Sequence, residues 1–386
     1  MGALGIGDAG VGRVGADGYA PPVSELPISF ARGAPAPELI PAQELAECAH
    51  AVARRQGAML FSYGPGGGYG PLREWVARRH GVDAGRVVLT MGGLLGFALY
   101  VDEALARRPG RVLVEAPSYD RPLKILARRG VEVVALPMDE EGLDPDALSA
   151  ELLRSSEPPS FLYTIPTFQN PSGRTLSPER RRGIAEIATA HGLPVLEDDP
   201  YGLVRYEGER PPSLHELEGG TLVTYTSSFS KTVAPGLRTG YFVLPEADRA
   251  GFEDRAVSTY ISPPFLVQAT IAEFIDRGRF EPNLEHVRAE LRARRDAMLE
   301  ALESQFPDGS TWSHPEGGYF LWLTLGDGTD AGELAVRAEA AGVGIVRGTD
   351  FFPSGSGLGK SSARLAFSYE APVRITEGIG RLAALL

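Results

Sequence analysis

The chain has 386 residues, a 43% hydrophobic share and a formal net charge of −12. It is long enough to bury a large core and too acidic for nucleic acid as its main partner, since a phosphate backbone calls for a basic face. The single cysteine, Cys48, excludes a disulfide framework and a cysteine-based zinc site, and the scattered histidines show no ligand spacing, so no metal is expected.

In chain order, residues 1 to about 20 are glycine-rich with little apolar patterning and are expected to be mobile. The start lacks the basic and apolar regions of a signal peptide, and no run approaches the roughly 18 apolar residues of a membrane span. A cytoplasmic protein without membrane contact is therefore expected. A Pro-rich extended arm, Pro21 to Pro41, contains Ile28-Ser29-Phe30-Ala31-Arg32-Gly33. A helical pattern over Ala42 to Arg55 leads into the glycine-rich Phe61 to Gly70, then a helix over Pro71 to His80 with proline at an early position.

Seven short apolar runs follow: Arg86–Thr90, Arg111–Glu115, Val131–Leu136, Phe161–Ile165, Pro194–Asp198, Leu222–Tyr225 and Tyr241–Leu244. Helical patterns separate several of them, at Leu94 to Arg107, Arg121 to Arg129 and Pro178 to His191. Apolar runs that do not alternate, with helices between, predict an α/β fold around a mainly parallel seven-stranded sheet sandwiched by helices. A long polar helix through Arg288 to Leu302 precedes two further strands, Gly318–Leu323 and Ala363–Ser368, of a smaller α+β domain. The expected division is an N-terminal segment and arm over residues 1–40, a large domain over 41–280 and a small C-terminal domain over 281–386.

In parallel sheets ligands sit at the carboxyl ends of the strands. Gly92, Gly93, Tyr119, Asn170, Asp198, Tyr201 and Lys231 fall at such ends. The stretch Ser228-Phe229-Ser230-Lys231, with Arg238 seven residues on, places hydroxyls and an arginine beside one lysine. That combination suits a site that grips a phosphate and keeps an amine ready to react with a carbonyl. Read singly, each residue has a plainer account: an exposed lysine, a capping aspartate, an Asn-Pro turn, core tyrosines, a surface-strand arginine.

Four pieces in order carry a more specific signal: Asn170-Pro171-Ser172-Gly173, Asp198-Asp199-Pro200-Tyr201, Ser228 to Arg238 and Arg364-Leu365-Ala366-Phe367-Ser368. With them the chain, from about Ile28 to Phe367, resembles the fold type I pyridoxal phosphate enzymes, class I/II aminotransferases. It is most similar to the branch holding 2-aminoadipate and aromatic aminotransferases and the effector domains of MocR-type regulators. The resemblance implies pyridoxal 5′-phosphate as cofactor, bound to Lys231 as a Schiff base, with Lys231 later moving the proton. It implies Asp198 against the pyridine nitrogen, Asn170 and Tyr201 on the 3-hydroxyl oxygen, and Tyr119 stacked on the ring. The phosphate would lie on Gly92, Gly93 and Leu94, on Ser228, Ser230 and Arg238, and on Tyr63 of a neighbouring subunit, which implies a homodimer with shared sites. Relatives commonly carry a small polar residue and then Gln where Gly93 and Leu94 stand, so those two offer only backbone. Arg364, with Asn170, would hold the substrate α-carboxylate, and Gly33 and Arg32 on the arm would face the substrate side chain. Asp199 is expected to be structural.

The implied activity moves an amino group between an L-amino acid and a 2-oxo acid. The same cofactor chemistry also serves β- or γ-elimination, replacement or C–C bond formation, and spacing does not say which bond breaks. A non-catalytic effector-binding module is a further reading, although residues 1–40 are too short and too poor in basic residues for a winged-helix DNA-binding domain.

Overall fold

The computed structural model describes residues 27–326 and 328–386. The glycine-rich start, expected to be mobile, lies outside the described residues. The arm opens with a two-residue strand, β1 (Ile28–Ser29).

The large sheet consists of β2 (Val87–Thr90), β3 (Val112–Ala116), β4 (Val133–Asp139), β5 (Gly142–Leu143), β6 (Phe161–Thr164), β7 (Val195–Asp198), β8 (Val223–Ser228) and β9 (Gly240–Val243). Their order is β2-β9-β8-β7-β6-β3-β4-β5. The strands β8, β7, β6, β3 and β4 run parallel, and β9 is antiparallel to both its neighbours. Each of the seven predicted strands is present. The eighth, β5, is a two-residue hairpin partner of β4, too short to leave an apolar run. β4 runs past its predicted end and through Pro137, near the sheet edge where a missing N–H is tolerated.

The strands are apolar because both faces are covered. Leu113, Leu162, Val195 and Val223 pack on one side with Ile184 of the helix Pro178–His191. Val114, Tyr163, Leu196 and Phe242 pack on the other with Phe97 and Val101 of the helix Gly93–Arg107. The helix Pro178–His191 has the bounds the sequence predicts because its ends are marked chemically. The Ser177 side chain accepts from Arg180 N, Pro178 opens the first turn, and Gly192 closes the last in the left-handed region.

The second sheet is antiparallel, formed by β10 (Thr311–Trp312), β11 (Phe320–Thr324), β13 (Val346–Arg347) and β14 (Ser362–Ala366) in the order β10-β11-β14-β13. β12 (Val343–Gly344) lies apart and pairs in parallel with β1. The 26-residue helix Phe280–Gln305 and the helix Pro372–Ala383 cover this sheet through Met298, Leu302, Ile375 and Ile379.

The arm is built into this unit. Phe30 N donates to Gly344 O and Ala366 N donates to Phe30 O, so the chain before the first helix is strand-paired. The Phe30 side chain is fully buried, and it packs so closely on Gly378 that a Cβ there would lie 2.5 Å from the ring. Phe30→Ala would leave a cavity between arm and small sheet. It should lower unfolding free energy by about 3–5 kcal/mol in urea denaturation; a loss below about 1 kcal/mol would show the arm to be dispensable for stability.

Candidate active site

In the large sheet β3 is flanked by β4 on one side and β6 on the other, so the chain departs in opposite directions and a crevice opens at the carboxyl edge. The loops after β3 and β6 are tied beneath it by one buried carboxylate. Glu115 accepts from Thr164 Oγ1, from Ile165 N at 3.0 Å and from Gln169 Nε2 at 3.2 Å. Gln169 also donates to Pro117 O and accepts from Ser172 N. Both loops contain a cis proline, at Ala116–Pro117 and Asn170–Pro171.

The crevice holds a cavity of about 430 Å³. Its wall includes Gly33, Gly93, Leu94, Tyr119, Asn170, Asp198, Tyr201, Ser228, Ser230, Lys231, Arg238 and Arg364. Residues from the arm, the loops after β2, β3, β6, β7 and β8, and β14 thus meet in one space. Three residues singled out in the sequence are not on this wall: Gly92, which lies just behind Gly93, and Arg32 and Tyr63. The Arg32 guanidinium sits over the Tyr369 ring, 4.3 Å from its centroid, and does not line the cavity. Tyr63 is 81% exposed and likewise outside it.

Lys231 follows β8, and its Nζ donates to Gly33 O at 2.6 Å. It lies 5.6 Å from the Tyr201 ring centroid and 5.0 Å from that of Tyr319, whose hydroxyl donates to Lys231 O. Enclosure, then the charges of Arg364 and Arg238, bring the Lys231 amine down to about 8. At pH 8 about half of it is free amine, against roughly 0.3% for an ordinary lysine.

Asp198 ends β7. Side chains alternate along a strand, so Glu197 faces the opposite side and accepts from Leu214 N and His215 N. Asp198 accepts from Tyr163 Oη at 2.8 Å and is in no ion pair among the described residues. Enclosure raises its carboxyl to about 7, against the Tyr163 hydrogen bond, with Asp199 and Glu115 adding to the rise. Asp199 is occupied structurally, accepting from Tyr225 Oη and Gly202 N.

Arg364 projects from β14 under the arm. Its Nη1 donates to Asn170 Oδ1 at 3.0 Å and its Nη2 to Ala31 O at 2.8 Å, while Nε is buried without a partner among the described residues. The guanidinium stacks 4.2 Å from the Phe320 ring centroid. At another part of the cavity, Gly93 opens the helix Gly93–Arg107, whose first N–H groups lack intrahelical acceptors, with Gly92 (φ +89°) as the residue before it. A Cβ on Gly92 would meet Arg238 Nη2 at 2.5 Å, and one on Gly240 would meet Gly93 N at 2.7 Å. Ser228 Oγ donates to Ser230 Oγ at 2.8 Å beside them.

Sequence reasoning did not pick out Glu115, Tyr163, Gln169 or Phe320. Glu115 had a usable signal: a carboxylate inside a buried apolar strand must have hydrogen-bond partners. Tyr163 and Phe320 had none, being aromatics in apolar runs.

Comparison with known proteins accords with this geometry. The family model for aminotransferase class I and II matches residues 30–365. The 2-aminoadipate transaminase of Thermus thermophilus is 37% identical over 363 residues, 93% of this chain and 90% of that protein. Aromatic-amino-acid aminotransferase 1 of Thermococcus litoralis is 33% identical over 364 residues, 92% of this chain and 87% of that one. The crystal structure of Pyrococcus horikoshii kynurenine aminotransferase in complex with PMP superposes with a TM-score of 0.88 at 34% identity, over 93% of this chain and 90% of that. A fold with its site at the β3/β6 crevice, and a match over most of the chain, lead to one conclusion: the chain belongs to the class I and II aminotransferases.

Proposed function

We propose that the protein transfers an amino group between an L-amino acid and a 2-oxo acid with pyridoxal 5′-phosphate as cofactor, using the residues of the β3/β6 crevice. The observation that carries this reading is Lys231: a lysine with its amine lowered to about 8, sharing one cavity with Asp198, Arg238 and Arg364.

The residues fit the cofactor. Gly92, Gly93, Ser228, Ser230 and Arg238 offer backbone N–H groups, hydroxyls and a guanidinium for the phosphate, at a helix N-terminus that favours an anion. Asp198 has a carboxylate to set against a protonated ring nitrogen, which would pull its raised pKa back down. Tyr119 would lie against the ring, and Asn170 and Tyr201 would bond the 3-hydroxyl oxygen. When bound, the cofactor supplies an aldehyde that condenses with amines and a ring that accepts the electrons released at the substrate α-carbon.

The chain's own groups do the rest. Arg364 holds the α-carboxylate, for which its unpartnered buried Nε is a ready donor. Lys231, whose amine lies in the same cavity as Arg364, would take the proton from the substrate α-carbon as general base and give it back as general acid. Asp198 would favour a protonated ring nitrogen. We further infer a homodimer that shares its sites, a reading supported by the exposure of Met59, Phe61 and Tyr63 on one short segment ahead of the glycine-rich stretch. We also infer a cytoplasmic location and a domain division near residue 280, in keeping with the lone buried Cys48 and with the helix Phe280–Gln305 covering the small sheet.

Holoenzyme mixed with an amino acid and no 2-oxo acid should yield stoichiometric pyridoxamine phosphate. Lys231→Ala should abolish the visible band of the lysine-bound cofactor and slow this half-reaction by roughly 10²–10⁴-fold. Sustained turnover with the aldehyde form retained would point to elimination or replacement and overturn amino transfer.

Gly92→Ala places a methyl against Arg238 at a positive φ, a cost of about 1–3 kcal/mol. Cofactor affinity by absorbance titration should fall about tenfold or more. An unchanged affinity would remove Gly92 from the phosphate site.

In the cofactor-free protein Asp198 keeps a proton that the unfolded chain has lost, from its ordinary 3.8 up to about 7. Stability should therefore fall as pH rises through that window, because the folded state binds more protons there. Asp198→Asn should make the fall shallower in urea melts of the cofactor-free protein, with Glu197, also raised to about 7, and the buried Glu115 and Asp199, both raised, supplying the remainder. An identical slope in the variant would mean that Asp198 ionises normally.

A further inference from the structure

Two adjacent charged side chains on the cavity wall, Asp120 and Arg121, have no part in the roles above. Arg121, in the first turn of the helix Asp120–Arg128, lines the same cavity as Arg364 and is 60% exposed. Among the described residues its one ion pair is with the adjacent Asp120, Nε to Oδ2 at 3.5 Å. The same oxygen accepts from Lys124 Nζ at 2.7 Å, one helical turn on. Lys124 is the nearer partner. Asp120 therefore stays neutralised when Arg121 turns away, and Arg121 can exchange that contact for another carboxylate at small electrostatic cost.

The rest of the wall narrows what that carboxylate belongs to. Lys231, Asp198 and Arg238 have proposed duties toward the cofactor, and Arg364 toward the α-carboxylate. The remaining wall near the arm is apolar, from Ala31, Ala34, Ile165 and Phe320. Arg32, the arm residue expected to face a substrate side chain, lies over Tyr369 outside the cavity. The positive charge of Arg121 also reaches Arg364, whose pKa is lowered first by burial and in smaller part by Arg121. A molecule with a carboxylate at each end would satisfy both cations.

We propose that Arg121 binds the distal carboxylate of a dicarboxylic amino acid or 2-oxo acid whose α-carboxylate rests on Arg364, with Lys124 holding Asp120 meanwhile. The proposal rests on the amino-transfer reading and names its substrate class. It makes Arg121 a specificity residue and Lys124 a positioning residue that does not touch the ligand.

Two unreactive probes of equal length test it: holoenzyme is titrated with glutarate and with valerate, and the half-reaction is followed with glutamate and with norvaline. Arg121→Gln should cut the glutarate-to-valerate affinity ratio and the glutamate-to-norvaline rate ratio by about tenfold, the scale for a partly exposed charge pair. The loss should shrink in high salt. Lys124→Ala should lower the same ratios by a smaller factor, by returning Arg121 to Asp120, and Asp120→Asn should raise them. A wild type that binds glutarate no better than valerate, or ratios unmoved by Arg121→Gln, would overturn the proposal. A wild type that converts no amino acid would overturn the amino-transfer reading instead, and the glutarate ratio would still decide Arg121 by binding alone.

Discussion

The guanidinium of Arg364 joins three parts of the chain that are far apart in sequence. It leaves the small sheet, donates to Asn170 in the loop after β6, donates to Ala31 on the arm and rests on the Phe320 ring. An arginine 7% exposed is costly unless its donors are met. Two N–H directions are satisfied by groups that must be in place for the cavity to exist, and Nε is left over. The requirement to satisfy this one side chain therefore constrains the arm, the Asn-Pro loop and the small sheet together. It also leaves a donor where an anionic ligand has a use for it.

The same enclosure acts with opposite sign on the two central titratable groups. Water exclusion disfavours charge, so the Lys231 amine falls to about 8 and the Asp198 carboxyl rises to about 7. Neighbours add to both shifts: Arg364 and Arg238 press on the lysine, Asp199 and Glu115 on the aspartate. A phosphate beside Arg238 would remove part of the first pressure. A protonated ring nitrogen would relieve the strain on Asp198. Two groups so strongly shifted by their surroundings mark the part of the cavity where proton transfer is proposed.

Much of the fold was legible because its strands are apolar throughout and its helices are punctuated. Ser177-Pro178 and Gly192 delimit a helix as plainly as a break in the sequence would. The arm was harder to read: Ile28-Ser29-Phe30 is too short to signal a strand, and it becomes one only against Gly344 and Ala366, more than 300 residues away. The cavity residues from the loops after β3, β6, β7 and β8 were readable because strand ends place their side chains. Arg32 and Arg121 show the limit of that reasoning. Both are arginines beside motif residues, and spacing does not say which one turns toward the cavity and which stacks on Tyr369. Tyr163 escaped notice for another reason: its ring belongs to the apolar core while its hydroxyl reaches Asp198.

At Gly93-Leu94 the chain presents a helix N-terminus pressed against the start of β9, with Gly240 allowing an approach that a Cβ would block at 2.7 Å. Arg238 adopts a left-handed backbone, φ +45°, an uncommon conformation for a residue with a side chain. The conformation is tolerated because the turn after Pro235 fixes it, and it carries the guanidinium to within contact of Gly92, where only hydrogen fits. An arginine brought this close to exposed N–H groups concentrates positive potential at one point. The demand for glycine at 92 and the uncommon backbone at 238 thus have one physical origin, the close approach of the Arg238 guanidinium to the helix N-terminus.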